Sequence, residues 1–308
     1  MSKILVTGGA GFIGSHVVDE LIKKGHEVVV ADNLVTGKKE NINPQVKSYT
    51  IDITSPELMT IFELEKPELV FHLAAQVMLR TSLDNPISDA KTNIIGTINV
   101  LEACRQFKVK KIIYTSTGGA RVGEPEQLPV DEKHPINPLS PYGISKHTAE
   151  HYVWMYNQVY ELDYLIFCFG NVYGPRDDYH CGRVTSIFTH QMLNGQQPQI
   201  FGDGEQTRDF IYVKDLAQFI VNSSDKNPGH KLFHLANGEQ ISVNKIFAII
   251  KKHTGYTGEA HHIEAVKGEV RDIRLNTGLV QAELGWEPQH SFDEGLRETV
   301  EWFKQNNQ

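Results

Sequence analysis

The sequence predicts an α/β fold: a doubly wound, mostly parallel sheet followed by a smaller C-terminal α/β domain. Three observations carry that expectation. Short apolar runs with almost no alternation recur through the first half, as strands buried on both faces require. Helix-period segments separate them, the pattern of βα units joined by right-handed crossovers. The first run ends in a cluster of glycines that leads straight into a helix, TGGAGFIGSH at 7–16.

The elements follow in order. Residues 3–7 read as the first strand. Residues 12–24 read as a helix with Phe12, Ile13, Val17 and Leu21 on one side and Gly25 placed to end it. EVVVA at 27–31 is a second strand, and 69–73 a later one. Residues 93–108 form a helix with Ile94, Ile98, Leu101 and Cys104 on one side, followed by a strand over 111–116. A helix over 141–158 and a strand over 164–169 continue the theme. After Asn171 glycine and proline become frequent, in GPRDDYHCGR and FGDGEQTRDF, and LGWEPQHSFDEGLRETVEWFKQ reads as a turn and an amphipathic helix. The expected division is 1–170 for a nucleotide-binding domain. Residues 171–308 mainly form a substrate domain, some segments of which return to the first.

Composition narrows the function. The 308 residues are 40% hydrophobic and 22% charged, with net charge −8. No broad basic surface exists, which argues against nucleic acid as a partner. No apolar run reaches bilayer-spanning length. MSKILVTGG enters a strand at once with no signal peptide before it. Cys104, Cys168 and Cys181 lack the close spacing of a zinc or disulfide framework, so a reducing cytoplasm is the expected setting. His261 and His262 are adjacent, and His134, His147 and His180 are isolated, so no metal site is expected.

Gly9, Gly11 and Gly14 satisfy G-x-G-x-x-G, and Gly8, Gly11 and Gly14 give G-x-x-G-x-x-G. Between strand and helix, such glycines permit a tight turn and close approach to a pyrophosphate, which the N–H groups of the next helix then meet. Asp32 ends the second strand, 18 residues after Gly14. A carboxylate there accepts both hydroxyls of an adenosine ribose and repels a 2′-phosphate, favouring NAD over NADP. Asp52 and Ile53 follow the next short strand. Both an adenine-edge contact and a helix cap fit them.

Tyr142 and Lys146 lie one helical turn apart in SPYGISKHTAEHY. A neighbouring ammonium lowers a phenol's pKa and suits it to take a hydroxyl proton. Y-x-x-x-K alone is an ordinary helix surface. Ser116 and Thr117, hydroxyls ending the strand IIYTST, tip the balance toward chemistry.

The chain resembles the extended short-chain dehydrogenase/reductase family, in its nucleotide-sugar epimerase branch. The likeness spans nearly the whole chain. It rests on TGGAGFIGSH at 7–16, DNL at 32–34, DI at 52–53, FHLAAQ at 71–76, NIIGT at 93–97 and STGGA at 116–120. YGISK at 142–146, NVYGPR at 171–176, FGDGEQTRDFIYVKDLA at 201–217 and LGW at 284–286 extend it. The resemblance implies a Rossmann domain with tightly bound NAD held by Gly8, Gly11, Phe12, Ile13, Gly14, Asp32 and Asn33. Asp52, Ile53, Leu73, Ala74, Ala75, Asn93, Ser116, Tyr142 and Lys146 complete that set. It implies 4-epimerisation of a UDP-sugar through a 4-keto intermediate, UDP-glucose and UDP-galactose before UDP-N-acetylglucosamine or UDP-glucuronate. Tyr142 is then the base, Thr117 holds the 4-oxygen, and Lys146 tunes Tyr142 and grips the ribose. Asn171 meets the sugar diphosphate, and Arg208 and Arg271 are the phosphate candidates. Asn93 supports the site rather than reacting. A homodimer through the helices at 93–108 and 141–158 is also implied, with Val153, Trp154, Tyr156 and Tyr160 as apolar positions beyond one core stripe.

Four positions depart from that pattern. Met78 replaces a small hydroxyl residue, Val122 an aromatic, Cys168 an arginine, and Val266 a phosphate-binding arginine for which Lys267 or Arg271 is the candidate substitute. A 4,6-dehydratase needs an extra acid and base after the hydroxyl residue, where Gly118 and Gly119 stand here. A dehydrogenase releasing NADH and a non-catalytic NAD-binding regulator remain as rivals. The run DDYHCGR is a candidate loop over the sugar.

Overall fold

The computed structural model describes residues 1–265 and 270–306. Seven strands form one sheet: β1 (Lys3–Thr7), β2 (Glu27–Asp32), β3 (Lys47–Thr50), β4 (Leu69–His72), β5 (Lys111–Thr117), β6 (Asp163–Phe169) and β7 (Leu232–Leu235). Their order is β7-β6-β5-β4-β1-β2-β3, and every neighbouring pair is parallel. The winding therefore reverses beside β1, where Thr7 faces Ala31 of β2 on one side and His72 of β4 on the other. Crossovers leave in opposite directions from that point, so a crevice opens beyond the carboxyl ends of β1 and β4.

Period-two alternation splits the strand side chains between two layers. Ile4 and Val6 pack with Val17, Val18 and Leu21 of α1 (Phe12–Lys23). Leu5 points the other way, into a cluster with Leu101 and Cys104 of α2 (Gly96–Gln106). Burying each of these side chains contributes about 1.5–3 kcal/mol. A four-residue turn of helix, α3 (Gly119–Val122), follows β5, and α4 (Pro141–Tyr160) covers the same face as α2. Val153 and Tyr156 of α4 belong to this internal core, whereas Trp154 and Tyr160 are exposed. From the C-terminal half, α5 (Val213–Ser223) places Leu216, Ala217 and Ile220 against the α1 layer, and β7 extends the sheet beside β6. A separate aromatic core gathers Tyr173, Phe188, Phe210, Tyr212, Phe247 and Phe292.

Helix α2 differs from the expectation over 93–108. The helical path starts earlier, at Pro86, because Asn85 accepts the Ser88 N–H at 3.0 Å and Pro86 suits the first turn. It runs through a π-helical turn at Lys91–Ile95 into α2. Asn93 is therefore not a cap. Among the described residues no group of three His, Cys, Asp or Glu could hold a metal ion, and no helix is long and apolar enough to cross a membrane.

Candidate active site

One pocket runs along the crevice from the glycine turn to the start of α4. Gly8 adopts φ +74°, and a Cβ on it would sit 2.6 Å from the Ala74 nitrogen. Only glycine lets the turn lie this close to the end of β4. Gly8, Gly11, Phe12, Ile13 and Gly14 line the pocket with Leu73, Ala74 and Ala75.

Asp32 ends β2 nearly buried. Its Oδ2 accepts the Ala10 N–H at 2.9 Å and its Oδ1 the Leu34 N–H at 2.8 Å. Each oxygen thus takes one backbone donor and keeps a further lone pair for a hydroxyl. Asn33 and Ile53 also line the pocket, but Asp52 is not part of its wall. The Asp52 carboxylate accepts the Thr54 N–H and hydroxyl at 2.8 and 2.7 Å and the Asn33 amide at 2.8 Å. Burial raises its pKa, but these hydrogen bonds outweigh that and leave it below the usual range. An NAD molecule fits the donor set: bare backbone at the turn, a carboxylate at the strand end, apolar walls between.

The inner end of the pocket is set by α4. Ser140 caps the helix by accepting the Gly143 N–H at 3.1 Å. A Cβ on Gly143 would lie 2.2 Å from the Ala120 carbonyl oxygen, so glycine is what lets α4 seat against α3. This contact brings Tyr142 to Thr117, with which it shares a hydrogen bond. Tyr142, Lys146 and Ser116 all line the pocket.

Burial governs both ionisable groups. It pushes the Tyr142 phenol up to about 12; the charge of Arg183 and the Thr117 hydrogen bond oppose the rise, and Asp89 adds to it. The expected lowering is thus outweighed by desolvation. Burial pulls the Lys146 ammonium down to about 8, against the charge of Glu150. Lys146 Nζ also lies 4.3 Å from the centre of the Tyr114 ring, a favourable face for a cation.

Asn93, 1% exposed, links the walls. Its amide donates to the Gln76 carbonyl at 3.0 Å, to Asp89 at 3.1 Å and to Ser145 of α4 at 3.1 Å, while its oxygen accepts the Gln76 N–H at 2.8 Å. It fixes the segment after β4 against the helix that carries Tyr142.

The remaining expected residues lie elsewhere. Asn171 is exposed and opens a three-residue strand paired with Phe210–Tyr212. Arg208 Nη1 donates to the carbonyls of Thr207 and Arg271, at 2.9 and 3.0 Å. Arg271 pairs with Asp203 at 3.0 Å on the surface. None of the three lines the crevice pocket. Met78 is half-buried, and Val122 and Cys168 are buried. Val266 and Lys267 lie outside the described residues.

Sequence reading singles out the run DDYHCGR as a candidate loop over the sugar but assigns none of its residues to the site, and they form a second wall. Arg176, Asp178, Cys181 and Arg183 from the run after Tyr173 line the same pocket, facing Thr36, Lys38 and Asn41 after β2. Lys38 and Asp178 pair at 2.9 Å across it. Arg183 binds the buried Asp177 and lies 5.2 Å from the Phe12 ring. The charge density of PRDDYHCGR was the available signal.

A crevice at the winding reversal, with a glycine turn at one end and a phenol and ammonium at the other, is the arrangement of a dinucleotide-binding α/β protein. Residues 4–235 match the NAD dependent epimerase/dehydratase family, and the chain belongs to that family. It is 38% identical over 312 residues to a UDP-glucose 4-epimerase of Mycolicibacterium smegmatis, covering 99% of this chain and 100% of that one. Among solved structures it resembles a UDP-glucose 4-epimerase of Thermotoga maritima with UDP-glucose, at 44% identity and TM-score 0.97, covering 99% and 100% of the two chains. It also resembles a Thermus thermophilus UDP-glucose 4-epimerase in complex with NAD, at 36% identity and TM-score 0.94, with 99% of each chain covered.

Proposed function

We propose that this protein is an NAD-dependent epimerase that inverts C4 of a UDP-sugar, UDP-glucose and UDP-galactose foremost, through a transient 4-keto sugar. The observation that carries the reading is the meeting of Tyr142, Lys146 and Ser116 at the inner end of the crevice pocket, with Thr117 beside Tyr142 just behind its wall. The relatives named UDP-glucose 4-epimerase support it along the whole chain.

Gly8, Gly11, Phe12, Ile13, Gly14 and Asp32 hold the NAD, with Leu73, Ala74 and Ala75 against it. When bound it supplies a carbon that takes hydride from the sugar C4 and gives it back. Tyr142 takes the proton of the 4-hydroxyl and returns it to the inverted oxygen. Thr117 hydrogen-bonds that oxygen and Tyr142 together. Lys146, charged, favours the phenolate form of Tyr142 and donates to a ribose hydroxyl. Asn171, Arg208 and Arg271 are the proposed contacts of the sugar diphosphate, joined in this reading by Arg183. Residues beyond 170 supply most of these substrate contacts, while β7 and α5 complete the nucleotide-binding half.

The same reading places the enzyme in the cytoplasm, in galactose metabolism, as a homodimer. Ile95, Trp154, Val159 and Tyr160 support the dimer: all four are about half exposed on the helices that flank the site. Purified protein incubated with UDP-galactose and no added NAD should accumulate UDP-glucose, and denaturation should release nicotinamide dinucleotide. Stoichiometric NADH release or a dehydrated sugar would replace this reading.

A further inference from the structure

Glu150 stands one turn after Lys146 on α4 and faces inward, away from the pocket. Its side chain is 5% exposed, as is that of Arg121 on α3, and Arg121 Nη2 meets Glu150 Oε2 at 3.1 Å. Ser116 donates its hydroxyl proton to Oε1, and His147 Nδ1 lies 2.9 Å from Oε2. The second guanidinium nitrogen, Nη1, donates to Cys168 Sγ at 3.4 Å. An ion pair buried this deeply seldom repays its desolvation, so stability alone does not account for it. Its neighbours do. Ser116 is a wall of the pocket, and Lys146 is another.

We propose that Glu150 and Arg121 are a positioning pair for the catalytic end: Glu150 anchors Ser116 in the pocket wall and balances the buried Lys146 charge, and Arg121 holds Glu150 in place. The inference rests on the epimerase reading of Tyr142 and Lys146. Cys168 of β6 touches both members of the pair: its Sγ accepts from Arg121 Nη1 and lies 3.8 Å from Glu150 Oε1, so a cation at this position would also meet Glu150.

The groups around Lys146 single out Glu150. Asp89 faces it from the helix Pro86–Ala90, Cys168 from β6, Tyr114 from β5, His72 from β4 and Tyr142 from its own helix. Burial keeps the thiol, the Tyr114 phenol and the imidazole neutral, and Glu150 and Asp89 are the carboxylates that face the ammonium. Glu150 in turn meets Arg121, His147, Ser116 and Cys168, with His234 of β7 beyond them held neutral by burial.

The test is turnover of the UDP-sugar against pH. Glu150→Gln should move the alkaline limb to lower pH by about one unit, because the ammonium loses one of the two carboxylates that balance it. A merely structural role would lower turnover at every pH and leave the limb where it is. Arg121→Met should lower turnover, and Arg121→Met with Cys168→Arg should recover it by roughly tenfold, the worth of one pH unit of lysine charge. An unmoved limb in Glu150→Gln overturns the proposal. So does a double variant with wild-type melting temperature and no recovery; should the double variant fail to fold, the Glu150→Gln limb decides. Inactive wild-type protein in the same assay removes the epimerase reading itself, which is a different result from active wild type with an unmoved limb.

Discussion

Tyr142 and Lys146 do different work although they share a helix face. The phenol is pushed up to about 12 by burial, so it is a reluctant acid unless a positive charge sits close by. On the proposed mechanism, Tyr142→Phe removes the oxygen that exchanges a proton with the sugar hydroxyl, and leaves the pocket walls intact. Turnover should fall by roughly 10²–10⁴-fold while bound nucleotide, measured after denaturation, stays at the wild-type level. Near-normal turnover in that variant would remove Tyr142 as the base. On the same mechanism Lys146 sets the pH range. Burial brings its ammonium from the ordinary 10.5 down to about 8, so the charged form prevails below that and is lost as pH rises through it. The rate should therefore decline on the alkaline side near pH 8, well before an ordinary lysine would titrate. A plateau extending to pH 10 would show that the charge of Lys146 is not used.

At the scale of elements, the site depends on how closely α4 approaches α3. Gly143→Ala adds a methyl group 2.2 Å from the Ala120 oxygen, so one element must shift. A cost of about 1–3 kcal/mol is expected for such crowding. Turnover should fall more than stability, since Tyr142 is the neighbouring residue and moves with the helix. Thermal melting and the turnover rate of the variant, measured together, check that order. Much of this was legible in the sequence. Buried parallel strands announce themselves by unbroken Val, Ile and Phe runs, and the strand–glycine–helix junction fixes the nucleotide end by local rules alone. The Tyr142–Lys146 spacing needs only helical periodicity. What escaped was long-range. Arg183 shares the pocket with Tyr142 across 41 positions of sequence, and Arg121 finds Glu150 only because α3 and α4 pack. The early start of the helical path at Pro86 was missed because a π turn shifts the apolar phase near Asn93. Val153 and Tyr156 looked like spare apolar surface because the width of the core face on α4 depends on the sheet beneath it.

The molecule as a whole is tied together by neutral histidines, and this gives it an acid weakness. His72 bridges Thr7 of β1 at 2.7 Å and Thr97 of α2 at 2.9 Å. His16 of α1 meets the Pro175 carbonyl at 2.9 Å, joining the nucleotide turn to the wall beyond Tyr173. His234 of β7 meets the Val130 carbonyl at 3.1 Å. Burial pulls their imidazoles down from 6.5 to about 3 for His72 and about 4 for His16 and His234. The unfolded chain takes up protons that the folded chain refuses, so their contribution is present above pH 6.5 and is lost as pH falls toward 4. Asp209 works in the opposite direction. Burial raises its carboxyl to about 7, so the folded state holds a proton that the unfolded chain has released, and stability from this group grows as pH falls from 7 to 4. Glu132 and Asp177, also raised by burial, act with Asp209, whereas carboxylates held low by hydrogen bonds and ion pairs, Asp52, Glu65 and Asp163 among them, act with the histidines, and the second group is the larger. Melting temperature should therefore drop steeply between pH 6.5 and 4.5. His16→Gln keeps a donor for the Pro175 carbonyl but cannot be protonated, so the slope in that variant should be shallower by about one proton. A melting temperature that stays level over this interval in the wild-type protein would mean that these imidazoles are already charged in the fold, and that the links they make between distant segments are charge-assisted hydrogen bonds rather than neutral ones.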